Sequence, residues 1–179
     1  SGKSNNFTLD FIDFSGFSYN MDAETLLCCV IGKPVRHSMS PQIHNAAFKK
    51  LKLNYAYLAF EVNGLADAVS GIRALGIRGV SVTIPHKIEV IKYLDWVEPA
   101  ADSIGAVNTI LNDRGRLKGY NTDGFGALEA LRKNSADPKS KNVLVIGSGG
   151  AARAIAFTIA MKAKPKNLFI AGVIEEQLQ

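Results

Sequence analysis

The apolar positions of this chain come in short blocks whose spacing switches repeatedly between the periods of strand and helix. Residues 25–32 are apolar and β-prone, the pattern of a buried first strand. Ser40-Pro41 reads as a helix N-cap followed by proline at the first helical position. Ile43, Ala46, Ala47 and Leu51 then recur at i, i+3, i+4 and i+8, one face of a helix. Residues 55–62 predict a second strand, 65–75 a second helix stopped at Gly76, and 79–84 a third strand ended by Pro85. A helical pattern covers 88–94, and a short helix is expected over 99–104. Residues 106–111 and 116–120 flank Asn112-Asp113-Arg114-Gly115 as the arms of a hairpin. Asn121-Thr122-Asp123 precedes a helix over 125–133, and 134–141 has the composition of a linker. Such strand–helix alternation argues for an α/β fold with a largely parallel sheet.

The last apolar block carries chemistry. Val143-Leu144-Val145-Ile146 runs into Gly147-Ser148-Gly149-Gly150-Ala151-Ala152, and an Ala-rich helical segment follows over 151–161. A strand, a Gly-x-Gly-x-x-Ala turn and a helix N-terminus suit a dinucleotide pyrophosphate. Gly147 permits the turn, Gly149 lets the backbone approach the phosphates, and Ala152 is small enough for the helix to pack on the strand. The helix dipole and its free N–H groups then face the anion. Residues 167–172 read as the second strand of this unit. The strand end, Ala171-Gly172-Val173-Ile174, offers no Arg for a 2′-phosphate, and Glu175 and Glu176 come a little later. NADP and NAD are therefore both open at this point.

Composition narrows the class. The 179 residues allow one large or two small domains; 47% hydrophobic and 21% charged content is that of a globular protein. The net charge is +5, from 21 basic and 16 acidic residues, with no dense basic run. Nucleic-acid binding is not expected, and a modestly basic surface suits anionic small molecules. No apolar stretch approaches the roughly 20 residues that span a bilayer, so no membrane association is expected. Ser1-Gly2-Lys3-Ser4 resembles the end of a phosphate-binding loop but lacks the upstream glycine and strand, so 1–24 is read as an N-terminal extension. Cys28 and Cys29 are adjacent and point to opposite faces of a strand; they are read as buried thiols of a reducing, cytoplasmic compartment. His37, His44 and His86 match no zinc spacing, so no metal is expected. Trp96 is expected to pack at a helix end.

Four further motifs precede the glycine turn in order: His37-Ser38-Met39-Ser40-Pro41, Ser81-Val82-Thr83-Ile84-Pro85-His86-Lys87, Gly105-Ala106-Val107-Asn108-Thr109 and Asn121-Thr122-Asp123-Gly124. The series resembles the shikimate dehydrogenase family and its quinate/shikimate dehydrogenase relatives, from about Ile31 to Gly172. The resemblance implies an N-terminal substrate-binding α/β domain followed by a Rossmann-type dinucleotide-binding domain, which is incomplete in this chain. The expected divisions are 25–124 for substrate, 125–141 for a connecting helix and linker, and 142–179 for the first βαβ portion of an NADP-binding domain. It implies an NADP-dependent oxidoreductase that reversibly reduces 3-dehydroshikimate to shikimate in aromatic amino-acid biosynthesis, as a monomer or homodimer.

Residue by residue, the resemblance makes Lys87 the catalytic acid/base, with Asp123 beside it as partner and substrate ligand; ketone reduction needs such a proton donor. Ser38 and Ser40 become the carboxylate clamp, and Thr83 and Asn108 the contacts to ring hydroxyls, since Asn both donates and accepts. Gly147, Ser148, Gly149, Gly150, Ala151 and Ala152 become the cofactor turn. Ser81 stands where the family often has Asn. Asn121 and Thr122 are read as shaping a turn, and Arg153 as contacting either a phosphate or a surface carboxylate. Two other readings compete: a quinate or other polyol-acid dehydrogenase using NAD, and a non-catalytic shikimate-binding fragment.

Overall fold

The computed structural model describes residues 21–172. The first 20 residues, with the Ser1-Gly2-Lys3-Ser4 tetrapeptide, and 173–179, with Glu175 and Glu176, lie outside the described residues.

Six strands form the larger sheet: β1 (Leu26–Gly32), β2 (Tyr55–Glu61), β3 (Gly79–Val82), β4 (Trp96–Val97), β5 (Thr109–Asp113) and β6 (Arg116–Tyr120), in the order β2-β1-β3-β5-β6-β4. β1 pairs in parallel with both β2 and β3, as the strand–helix alternation predicts. β5 is antiparallel to β3 and β6, and β4 joins β6 in parallel, so the sheet is largely parallel with β5 alone running against the other five strands. The β5–β6 hairpin causes this. Arg114 and Gly115, both at positive φ (53° and 88°), close it in two residues, so the chain reverses without a crossover helix. The turn is tighter than the four-residue loop read from sequence, because Asn112 and Asp113 are themselves in the ladder.

Alternation along β1 feeds two cores. Cys29 and Ile31 join Val80, Val82, Ile110 and Leu117 on one face, under α2 (Leu65–Ala74), which contributes Leu65, Val69 and Ile72. Cys28, Val30, Val35 and Tyr57 pack on the other face with Phe48 of α1 (Ser40–Lys50). The opposed cysteines are thus both free, one in each core.

Helix α1 is rotated from the face read in sequence. Ile43 and Leu51 are 64% and 66% exposed, and none of its residues is fully buried. His44, Asn45 and Phe48 face the sheet instead. Polar contacts decide the rotation: Asn45 Nδ2 donates to the Tyr57 carbonyl at 2.9 Å, and the Tyr57 amide donates to Asn45 Oδ1 at 2.8 Å. The helix boundary also moves by one. Met39 is the N-cap residue and Ser40 the first helical residue, while Ser38 Oγ accepts the Ser40 amide at 3.2 Å. Residues 89–93 form a 3₁₀ turn rather than an α-helix. Trp96 lies in β4, not at a helix end, 38% exposed and edge-on to Tyr120.

A second, two-stranded sheet pairs β7 (Asn142–Ile146) in parallel with β8 (Asn167–Ala171) across helix α5 (Gly150–Ala163), the βαβ unit expected of the glycine turn. α5 packs on α4 (Asp123–Lys133) through Leu128, Ile159 and Ala163, and on α3 (Pro99–Ile104) through Ile104, Ala106 and Ala154. Gly124 makes the first contact possible: a Cβ there would collide with Thr158 Oγ1 and the Ala154 carbonyl. These two seams bring the N-terminus of α5 against the end of the larger sheet. No described helix is long and apolar enough to cross a membrane.

Candidate active site

Three segments deliver the polar side chains to one place. The loop after β1 ends in Ser38 and Ser40 at the start of α1. The turn after β3 carries Thr83 and Lys87. Asn108, just before β5, meets Thr122 and Asp123 at the start of α4. Backbone bonds lock these ends together: the Val82 amide donates to the Asn108 carbonyl at 2.7 Å, Asn108 N to Tyr120 O at 3.0 Å, and Val107 N to Lys87 O at 2.8 Å.

Lys87 Nζ donates to Asp123 Oδ2 at 2.5 Å, with both side chains mostly buried. Asn108 Nδ2 donates to the other carboxylate oxygen at 2.8 Å and to Thr122 Oγ1 at 3.0 Å. Its carbonyl oxygen accepts the Thr122 amide and the Thr109 hydroxyl. The Asn108 carboxamide is therefore largely spent on holding Asp123 and Thr122, although it borders the cavity. Asn121 shapes the approach, as its position in the sequence suggests: Nδ2 donates to the Ala106 carbonyl, and Oδ1 accepts the Asp123 amide.

These residues line a cavity of about 480 Å³, bordered by Ser38, Ser40, Thr83, Lys87, Asn108 and Asp123. All six substrate-site residues read from the sequence are thus brought together. A second cavity of about 620 Å³ lies on the far side of Lys87, lined by Ser148, Gly149, Gly150, Ala151 and Ala152 with Ile84 and Ile146. Thr83, Ile84 and Lys87 border both spaces. Gly150 sits against the junction: a Cβ there would lie 3.3 Å from Lys87 Cβ.

The second cavity suits a dinucleotide. Gly147 takes φ +124°, a conformation that L side chains rarely adopt, and the space a Gly149 Cβ would occupy is open to 4 Å. Gly149 is the N-cap of the 14-residue α5, so free N–H groups and the positive end of the helix dipole meet that space. Arg153 points elsewhere. Its Nε donates to the Ser148 carbonyl at 3.3 Å, and the residue borders a third cavity, with Ser103, Ile104 and Phe157, that Gly147 and Ser148 also line; Gly147 does not line the second.

Some residues in or behind the first cavity carry no functional signal in the sequence. His44 is only a helix residue there, yet its ring stacks on Tyr57 with centroids 4.3 Å apart and borders the first cavity. Tyr57 is one position in a predicted strand; its hydroxyl reaches Ser81 at 2.7 Å. Helical periodicity places His44 four residues after Ser40, but only the packing of α1 on the sheet shows that this face is the inward one. His37 borders the same cavity, whereas His86 is buried with Nε2 3.2 Å from the Val62 carbonyl.

Comparison with known proteins follows the same outline. Residues 30–110 match the family model of the shikimate dehydrogenase substrate binding domain. Shikimate dehydrogenase (NADP(+)) of Methanococcus maripaludis is 52% identical over 152 residues, which cover 84% of this chain and 53% of that protein. A crystal structure of a shikimate dehydrogenase in complex with NADP+ superimposes with a TM-score of 0.82 at 49% identity, covering 88% of this chain and 55% of the other. The Thermus thermophilus enzyme in complex with NADP(H) and shikimate gives 0.78 at 38% identity, covering 85% and 57%. The chain spans about half the length of the curated relatives it matches. With a matching substrate-domain signature, about half of the aligned residues identical and a fold that superimposes closely, the chain is similar to shikimate dehydrogenases over the part it spans.

Proposed function

We propose that the protein carries out the NADP-dependent, reversible reduction of 3-dehydroshikimate to shikimate, a step of aromatic amino-acid biosynthesis. The observation that carries this reading is the Lys87–Asp123 pair at the junction of two cavities, one lined by hydroxyls and amides, the other by a glycine turn. The nicotinamide, when bound, supplies the hydride chemistry. Lys87 gives a proton to the oxygen that becomes the new hydroxyl, and takes it back in the oxidative direction. Asp123 holds the Lys87 ammonium in place and faces the ring hydroxyls. Ser38 and Ser40, at the N-terminus of α1, receive the substrate carboxylate, where hydroxyl donors and helix dipole both favour an anion. Thr83 contacts the ring, with Asn108 behind it.

In this reading 25–124 forms the substrate domain, 125–141 the connection, and 142–179 the start of the cofactor domain. Gly147 to Ala152 cradle the pyrophosphate. Matched relatives named for NADP(+), and a solved relative in complex with it, support NADP as the cofactor. Two free thiols fit the reducing cytoplasm. The test is shikimate oxidation by the full-length protein with NADP and with NAD. Turnover with NADP is expected. Equal or better turnover of quinate with NAD would overturn the assignment.

A further inference from the structure

The structure gives the Ser81 hydroxyl a partner of its own. The Tyr57 phenol lies 2.7 Å from Ser81 Oγ, and Ser81 borders the substrate-side cavity. Tyr57 is only 4% exposed. It is held from three sides: Asn45 takes its backbone N–H and C=O, His44 stacks on its ring at an interplanar angle of 13°, and Ser81 meets its hydroxyl. Two of these holders sit on α1, whose first residue is Ser40. Ser40 and His44 share a helix face at i, i+4. His44, Tyr57 and Ser81 thus form a chain of contacts beneath the helix face that carries Ser40.

Proton polarity makes this chain of contacts directional. A phenol is more acidic than an aliphatic alcohol, so Tyr57 donates and Ser81 accepts. Burial pushes the Tyr57 phenol above its ordinary range, so it keeps its proton at neutral pH. With one lone pair of Ser81 committed, its own hydrogen turns away from Tyr57, and a donor polarised in this way is strengthened.

We propose that Tyr57 is a positioning residue that presents the Ser81 hydroxyl as a further donor to an oxygen of the anionic, polyhydroxylated substrate. The inference rests on the substrate reading given above.

The experiment is a double-mutant cycle in the full-length protein, with shikimate binding measured by calorimetry and turnover by NADPH absorbance. Tyr57→Phe and Ser81→Ala are each expected to raise the shikimate Kd and KM about tenfold, a hydrogen bond to a charged or polar ligand oxygen. kcat should change far less. Tyr57→Phe in the Ser81→Ala background should add little. A Tyr57→Phe protein that loses only thermal stability, with KM unchanged, overturns the proposal, as does an equal penalty with and without the Ser81 hydroxyl. Wild-type protein that neither binds nor oxidises shikimate would instead overturn the underlying substrate reading, before any variant is compared.

Discussion

Asn108 and Asp123 are joined by an amide-to-carboxylate hydrogen bond of 2.8 Å, leaving the second Asp123 oxygen to Lys87. The carboxylate is thereby oriented from one side and charged against the lysine from the other. Asn108→Ala removes the orienting bond while leaving Lys87 and Asp123 both present. Steady-state kinetics should show kcat falling about tenfold or more, with a smaller change in KM. A change confined to KM would put Asn108 on the substrate instead.

In the proposed function, Lys87→Ala removes the proton donor at the junction of the two cavities. Turnover should drop by about 10² to 10⁴, the usual range for a general acid–base group. Shikimate should still bind, because Ser38 and Ser40, the carboxylate contacts in the proposed function, lie on another segment. Calorimetry separates the two effects, and a variant with near wild-type kcat would remove Lys87 from the chemistry.

The glycines of α4 test the seam between the two sheets. Gly124→Ala should destabilise the protein by about 1–3 kcal/mol, since the new methyl has no room beside Thr158 and Ala154. Gly126→Ala, in the same helix with nothing within 4 Å of the added carbon, should be neutral or stabilise by up to about 1 kcal/mol through helix propensity. Thermal unfolding of the pair distinguishes a packing requirement from a helix effect. Equal Tm changes would deny the seam.

Alkaline stability should track the buried thiol of Cys29. Burial first, then the neighbouring Cys28, pushes its pKa up to about 12 from 9.0. The folded state therefore binds this proton more tightly than the unfolded chain. Its contribution is fully present below about pH 9 and is lost as pH rises from there toward 12. Burial raises Cys28 and Tyr57 in the same direction. Denaturant unfolding between about pH 8 and 11 should show falling stability, and Cys29→Ala should flatten that slope. An unchanged slope would mean that Cys29 is not protected in solution.

Much of the candidate site is legible in the sequence because its parts are local. A glycine that must take φ +124° at a turn, a hydroxyl beside a helix start, and a lysine one turn after a strand are each set by neighbours a few residues away. So are the βαβ unit and the cysteines on opposite faces of β1. Everything that required two distant segments to meet was decided only by the tertiary structure. The mixed sheet follows from where the β5–β6 hairpin lands beside β3. The rotation of α1 follows from Asn45 bonding the backbone of Tyr57, which outweighs the apolar stripe of Ile43 and Leu51. The task of Asn108 and the Tyr57–Ser81 contact follow from side chains 15 and 24 positions apart in the chain. Periodicity reports which residues share a face; it carries no information on which face a polar anchor will turn inward, because that energy arises only when the partner arrives.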